Sequence, residues 1–172
     1  MLRRLWMPHP ERTARRTSDR DPMRRLCAEG GGVMTFGQAA AGSSRGSRPA
    51  PDAPCPCGSG TSFAQCCGPM LAGASAPTPE RLMRSRYTAF CLRDAAYLRD
   101  TWHPGTRPET LELDPGLAWM GLEIIDADAD ERRGVVEFRA RWREGADAGV
   151  LHERSRFVHQ GDRWWYLDGQ VS

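Results

Sequence analysis

Hydrophobic positions after residue 78 fall into two periods, one helical and one extended. Met83, Tyr87, Phe90, Cys91, Ala95 and Leu98 recur at the spacing of one helix stripe. The triplet Thr78-Pro79-Glu80 in front of them is a helix start: threonine caps, proline suits the first turn, and glutamate complements the positive end of the dipole. The spacing predicts a helix from Thr78 to about Thr101, which Pro104 and Pro108 forbid from continuing. Beyond them the period drops to two. Val136, Phe138, Ala140 and Trp142 alternate with Glu137, Arg139 and Arg141, the mark of a half-buried antiparallel strand. Strands are predicted over 119–126, 135–143, 150–160 and 163–168, the last pair joined by the hairpin turn Gly161-Asp162. A long helix followed by four meandering strands is an α+β layout.

Upstream the pattern fades. Residues 35–54 are rich in Gly, Ala, Ser, Arg and Pro and read as a linker, because they cannot bury enough apolar surface to fold. Residues 1–33 carry no sustained apolar period and are read as an unstructured extension, or as sequence upstream of a true start at Met34. No charged start is followed by an apolar run, so no secretory signal is expected, and no stretch is long enough to span a membrane. These readings place the chain in the cytoplasm, where six cysteines stay reduced and serve as metal ligands before disulfides.

Charge sharpens the picture. All 24 basic residues are arginine. Residues 1–50 hold ten of them against four acids, a net +6, while 51–172 carry 14 arginines and 18 acids, a net −4. The part expected to fold is mildly acidic, which argues against a nucleic-acid-binding domain.

The densest chemistry is Cys55-Pro-Cys57-Gly-Ser-Gly60-Thr-Ser-Phe-Ala-Gln-Cys66-Cys67. Four thiolates suit a structural zinc ion. The Gly-Ser-Gly run lets the chain reverse through positive φ, and Phe63, the one large apolar residue of the loop, is placed to cover the metal's flank. A module this small would draw its stability from the metal. Pairs spaced this closely are unusual, so buried or free thiols, and a strained Cys66–Cys67 disulfide, stay open as alternatives on spacing alone. Cys27 and Cys91 are not expected to be ligands.

Cys-Pro-Cys-Gly-Ser-Gly followed by Phe and Cys-Cys resembles the SEC-C motif, the zinc-binding tail module of the SecA translocation motor. Leu82–Tyr87, Thr101–Pro108 and Leu151–Phe157 are similar to the YchJ-like family of uncharacterised bacterial proteins. The resemblance implies structural Zn2+ on Cys55, Cys57, Cys66 and Cys67. It also implies a domain like nuclear transport factor 2, a curved four-stranded antiparallel sheet folded over helix into a cone. The expected organisation is an extension and linker over 1–52, a zinc module over 53–70 and the cone-like domain over 77–169.

That cone hosts enzymes and binding domains alike, so fold analogy does not choose between them. If the Phe157 face of its strand lines the core, Glu153 is buried and needs a partner, Arg84 or Arg86 from the helix. The candidate pocket comprises Arg84, Arg86, Tyr87, Trp102, His103, Arg107, Trp119, Trp142, Glu153 and Trp165. No nucleophile–base–orienter set is visible, so no catalytic residue is assigned. Two functions are carried forward. One is a zinc-binding adaptor that meets a protein partner through the module; the other is a small enzyme using Glu153 for acid/base chemistry on a small apolar substrate. Nothing in the sequence fixes the oligomeric state.

Overall fold

A computed structural model describes residues 46–172, so the Arg-rich start, Cys27 and Met34 lie outside the described residues. The described chain begins with residues 46–54, and here the expected linker is corrected: the Gly46 amide donates to Leu92 O at 2.8 Å, Arg48 to Leu71 O at 2.6 Å, and Pro51 O accepts from the Ala64 amide at 2.9 Å. The cysteine loop follows, with a 3-10 turn at Phe63–Gln65, and leads into the short helix α1 (Gly68–Leu71). Helices α2 (Pro79–Cys91) and α3 (Ala95–Asp100) follow, then strands β1 (Leu117–Ala129), β2 (Arg133–Glu144), β3 (Asp147–Gln160) and β4 (Arg163–Val171). The sheet is an antiparallel meander in the order β1-β2-β3-β4. This is the expected α+β fold, with each predicted strand present and somewhat longer at its ends.

Helix α2 starts where expected. Thr78 Oγ1 accepts from the Arg81 amide at 3.2 Å, and Pro79 occupies the first turn. The predicted continuation to Thr101 is corrected: the helix breaks at Leu92-Arg93-Asp94 and restarts as α3. Arg93 takes a φ of 54°, and the Asp94 amide closes back on the Ala89 carbonyl at 2.8 Å while that of Arg93 reaches Phe90. This is a Schellman closure with arginine where glycine is usual. Asp94 then caps α3 by accepting from the Tyr97 amide at 3.2 Å.

The break turns the chain so that residues 101–103 run along β4, with mutual backbone bonds between Thr101 or His103 and Tyr166. The core lies between α2 and one face of the sheet. Val136, Phe138 and Ala140 of β2 meet Glu153, Ser155 and Phe157 of β3 and Trp164 and Tyr166 of β4, all buried. Bulges between Trp119 and Gly121, between Ile124 and Asp126, and between Arg156 and Phe157 interrupt strict alternation. The hairpin at Gly161-Asp162 has φ values of 61° and 60°, as a two-residue turn requires.

Two caps hold the helical layer, and they are testable. Thr78→Ala and Asp94→Ala should each cost about 1 kcal/mol in urea unfolding. The caps stand at separate helix starts, so the double variant should lose about 2 kcal/mol. A double variant no weaker than either single one would show that the caps act on one shared element.

Candidate metal centre

The four cysteines of the loop come together. One sulfur from each of Cys55, Cys57, Cys66 and Cys67 lies within 4.8 Å of all the others, and the residues are 0–1% exposed. Backbone geometry makes this meeting affordable. Gly58 and Gly60 take φ values of 70° and 81°, and the Cys55 amide donates to Thr61 O at 3.0 Å, closing the reversal. The 3-10 turn then delivers Cys66 and Cys67. Phe63 is buried beside them, and its carbonyl lies so near Gly68 that a Cβ there would stand 2.7 Å away.

These residues fit a metal ion. Tetrahedral coordination with bonds of about 2.3 Å puts sulfurs about 3.8 Å apart. The Cys57–Cys66 and Cys66–Cys67 separations are 3.5 and 3.8 Å. The electrostatics agree. Hydrogen bonds from the Cys57 and Cys67 thiols pull Cys55 down to about 3, while Cys67, hydrogen-bonded to Cys55 and Cys57 and buried, is pushed far up. A divalent ion held by these four sulfurs would supply the positive charge that such a crowded, buried set of thiolates requires. Four protein sulfurs complete a tetrahedron and leave no position for a substrate, so such a centre is structural.

Helix α2 forms one wall of the cluster. Arg81 Nη1 lies 3.5 Å from Cys66 Sγ, and its Nη2 donates to Cys66 O at 3.0 Å. Arg84 Nη1 reaches Cys57 O at 3.4 Å while its Nε is held by Glu80 at 2.7 Å. Thr88 Oγ1 stands 4.0 Å from Cys55 Sγ. Ser59 Oγ, from the loop itself, is 3.1 Å from Cys66 Sγ. The sequence reading assigned none of Ser59, Arg81 or Thr88 to this centre. A stripe of polar residues at positions 81, 84 and 88 of a helix otherwise buried was the available signal.

The candidate pocket divides. Arg86, Tyr87, Trp102, Trp119 and Glu153 are buried together in the core. Arg86 is not ion-paired with Glu153. It donates to Leu98 O and Thr101 Oγ1, both at 2.8 Å, and lies 4.2 Å over the Tyr166 ring and 5.3 Å from that of Trp102. Glu153 instead accepts from Ser155 Oγ at 2.5 Å and from Tyr166 Oη at 3.3 Å. Tyr87 packs edge-on to Trp119. Arg84 belongs to the metal wall. Trp165 points to the opposite face of the sheet from Glu153, under the Arg163 guanidinium at 4.1 Å. His103 bridges the Gly105 amide and Gln160 beside that tryptophan, and Arg107 is exposed on Arg99 O. Trp142 lies half-buried against Gly149. A cavity of about 420 Å³ opens elsewhere, between residues 70–76, α3 and Trp164, and none of the ten pocket residues lines it.

Comparison with known proteins places both halves. Residues 78–169 match the family described as YchJ, middle NTF2-like domain, and residues 53–69 match the SEC-C motif. A UPF0225 protein of Streptomyces coelicolor is 52% identical over 124 residues, covering 70% of this chain and 97% of the relative. One from Deinococcus radiodurans is 52% identical over 121 residues, covering 69% and 89%. The solution structure of a SEC-C motif containing protein from Rhodopseudomonas palustris is similar with a TM-score of 0.62 at 37% identity, over 67% of this chain and 96% of that one. A crystal structure of a SEC-C motif containing protein from Psychrobacter arcticus gives 0.55 at 28% identity, over 66% and 75%.

Glu153 supplies a test by pH. Burial raises its carboxyl above the ordinary value of 4.5, against the opposing hydrogen bond from Ser155 and the charge of Arg86. The unfolded chain then gives up this proton at lower pH than the folded one, so stability falls as pH rises from about 4.5 through the raised folded value. Glu153→Gln removes this slope. The melting temperature of the variant should gain on wild type between pH 4.5 and 8, and parallel curves would show that the carboxyl is not held neutral. Gly169→Ala should destabilise at every pH, because its Cβ would overlap Glu153 Oε1.

Proposed function

The chain belongs to the UPF0225 family of YchJ-like proteins, and from that membership we propose that it is a zinc-binding adaptor whose metal is structural. The observation that carries this reading is the closed, buried quartet of thiols, each 0–1% exposed. The division of labour follows the chain: residues 53–70 form the metal module and 77–169 the cone-like domain. The module offers a protein partner its exposed rim, where Gly58, Gly60, Thr61, Ala64 and Gln65 face solvent. Free thiols suit the cytoplasm. No helix of the described residues is long and apolar enough to cross a membrane.

The enzyme reading rests on Glu153, whose raised pKa is a property shared by catalytic acids. Access decides against it. Glu153 is 1% exposed, its oxygen is taken up by Ser155 and Tyr166, and the cavity of the fold opens elsewhere. A substrate would have to displace core side chains to reach it.

Metal analysis of the reduced full chain should find one zinc per chain, lost in Cys57→Ala. The cysteines share a core with Leu82, Tyr87 and Phe90, so the variant should also melt well below wild type as a whole. For that reason partner capture is tested on the rim instead. Thr61→Arg and Gln65→Arg should keep zinc and melting temperature yet lose a partner cross-linked to wild type, while Glu153→Gln keeps that partner. Capture indifferent to the rim, or turnover abolished by Glu153→Gln, would overturn the adaptor.

A further inference from the structure

A zinc ion on four thiolates carries a net charge of −2, and here it would be sealed from water. An uncompensated charge in such a place is costly, and the usual answer is a nearby cation that also donates hydrogen bonds. The module cannot supply one. Residues 53–69 contain no charged side chain at all. Among the described residues, the cations that reach the cysteines both come from helix α2. Arg81 touches a ligand sulfur, Cys66 Sγ, at 3.5 Å and clamps the carbonyl of the same residue at 3.0 Å. Arg84 lies 3.4 Å from Cys57 O, steered there by its 2.7 Å bond to Glu80.

We propose that Arg81, with Arg84 in support, is the counter-charge of the metal centre, so that metal retention is set by a helix of the cone-like domain and not by the SEC-C module alone. This deepens the zinc reading above and rests on it. Arg81 is a positioning residue and a charge, not a ligand. Its guanidinium lies against the one sulfur that also meets Ser59 Oγ, which makes Cys66 the most heavily supported of the four. Outer partners of metal ligands commonly change affinity by roughly 10–100-fold. Arg84 shares its charge with Glu80 and reaches only a carbonyl, so its contribution is the smaller.

The test measures zinc release from the full chain to a chelator in excess, beside the absorption of the Co2+-substituted protein as a report on thiolate coordination. Arg81→Gln should release zinc about tenfold faster than wild type. Arg81→Lys, which keeps the charge and loses the planar fork, should recover most of that difference, and Arg84→Gln should change the rate by less. Gly169→Ala weakens the domain without changing charge or touching Arg81 and marks what lost stability alone does to release. If Arg81→Gln releases zinc no faster than Gly169→Ala, or Arg81→Lys fares no better than Arg81→Gln, the counter-charge role is wrong while the zinc site stands. A wild-type chain that takes up neither zinc nor Co2+ overturns both.

Discussion

Arg86 sits at 1% exposure near the middle of helix α2, where Nη1 makes two hydrogen bonds, Nη2 makes none among the described residues, and two aromatic rings supply the remaining contact. Burial lowers its pKa to about 10, which leaves it charged at neutral pH. Much of the architecture follows from this one group. The break at Arg93 ends α2 and turns α3 back so that Leu98 O and Thr101 Oγ1 point at the guanidinium. The chain after α3 is pinned to β4, which sets Trp102 edge-on to Tyr166 at 4.9 Å and brings both rings to Arg86. Tyr166 in turn donates to Glu153, so the buried carboxyl feels the guanidinium across a ring and without direct contact. The cluster that resembles an active site in sequence is the polar interior of the cone.

The strands were legible because alternation on β2 and β3 survives in the fold: Val136, Phe138 and Ala140 are buried, and so are Glu153, Ser155 and Phe157. The same parity rule exposed Glu153 as a buried acid, while the arginine partner expected for it gives way to Ser155 and Tyr166. Alternation also holds on β4, where Trp165 turns outward while its neighbours Trp164 and Tyr166 turn in, and the register slips only beyond Tyr166. Counting tryptophans could not show which face each one took. The helix break was hidden for a different reason. No glycine or proline marks it, because Arg93 adopts a positive φ that its sequence does not advertise.

The cysteine cluster was legible as four residues that could hold a metal and illegible as a setting. Spacing and residue type are local, and Cys55 to Cys67 lie within thirteen positions. The wall made by Arg81, Arg84 and Thr88 is a tertiary contact, and three polar residues on one helix stripe look like a solvated face until something is seen to cover them. Here the covering element is itself too small to have a core, so each part supplies what the other lacks. The helix gains a lid over its polar stripe, and the cysteine loop gains cations it does not encode.

One helix therefore carries two buried charge problems on different sides. Arg81 and Arg84 face the sulfurs, while Arg86 faces the aromatic interior of the cone. Their angular relation is fixed by the helix itself at 3.6 residues per turn, so the two sides cannot be adjusted independently. A rotation or slide of α2 that improved its fit to an altered cysteine loop would draw Arg86 away from Leu98 O, Thr101 and Tyr166. The cost of leaving that guanidinium unsatisfied resists the movement. By the same reasoning the domain holds the arginines in place beside the cysteines, an arrangement that would be preorganised for an anionic thiolate centre. The SEC-C loop and the cone are then halves of one folding unit, joined through the single element that both must satisfy.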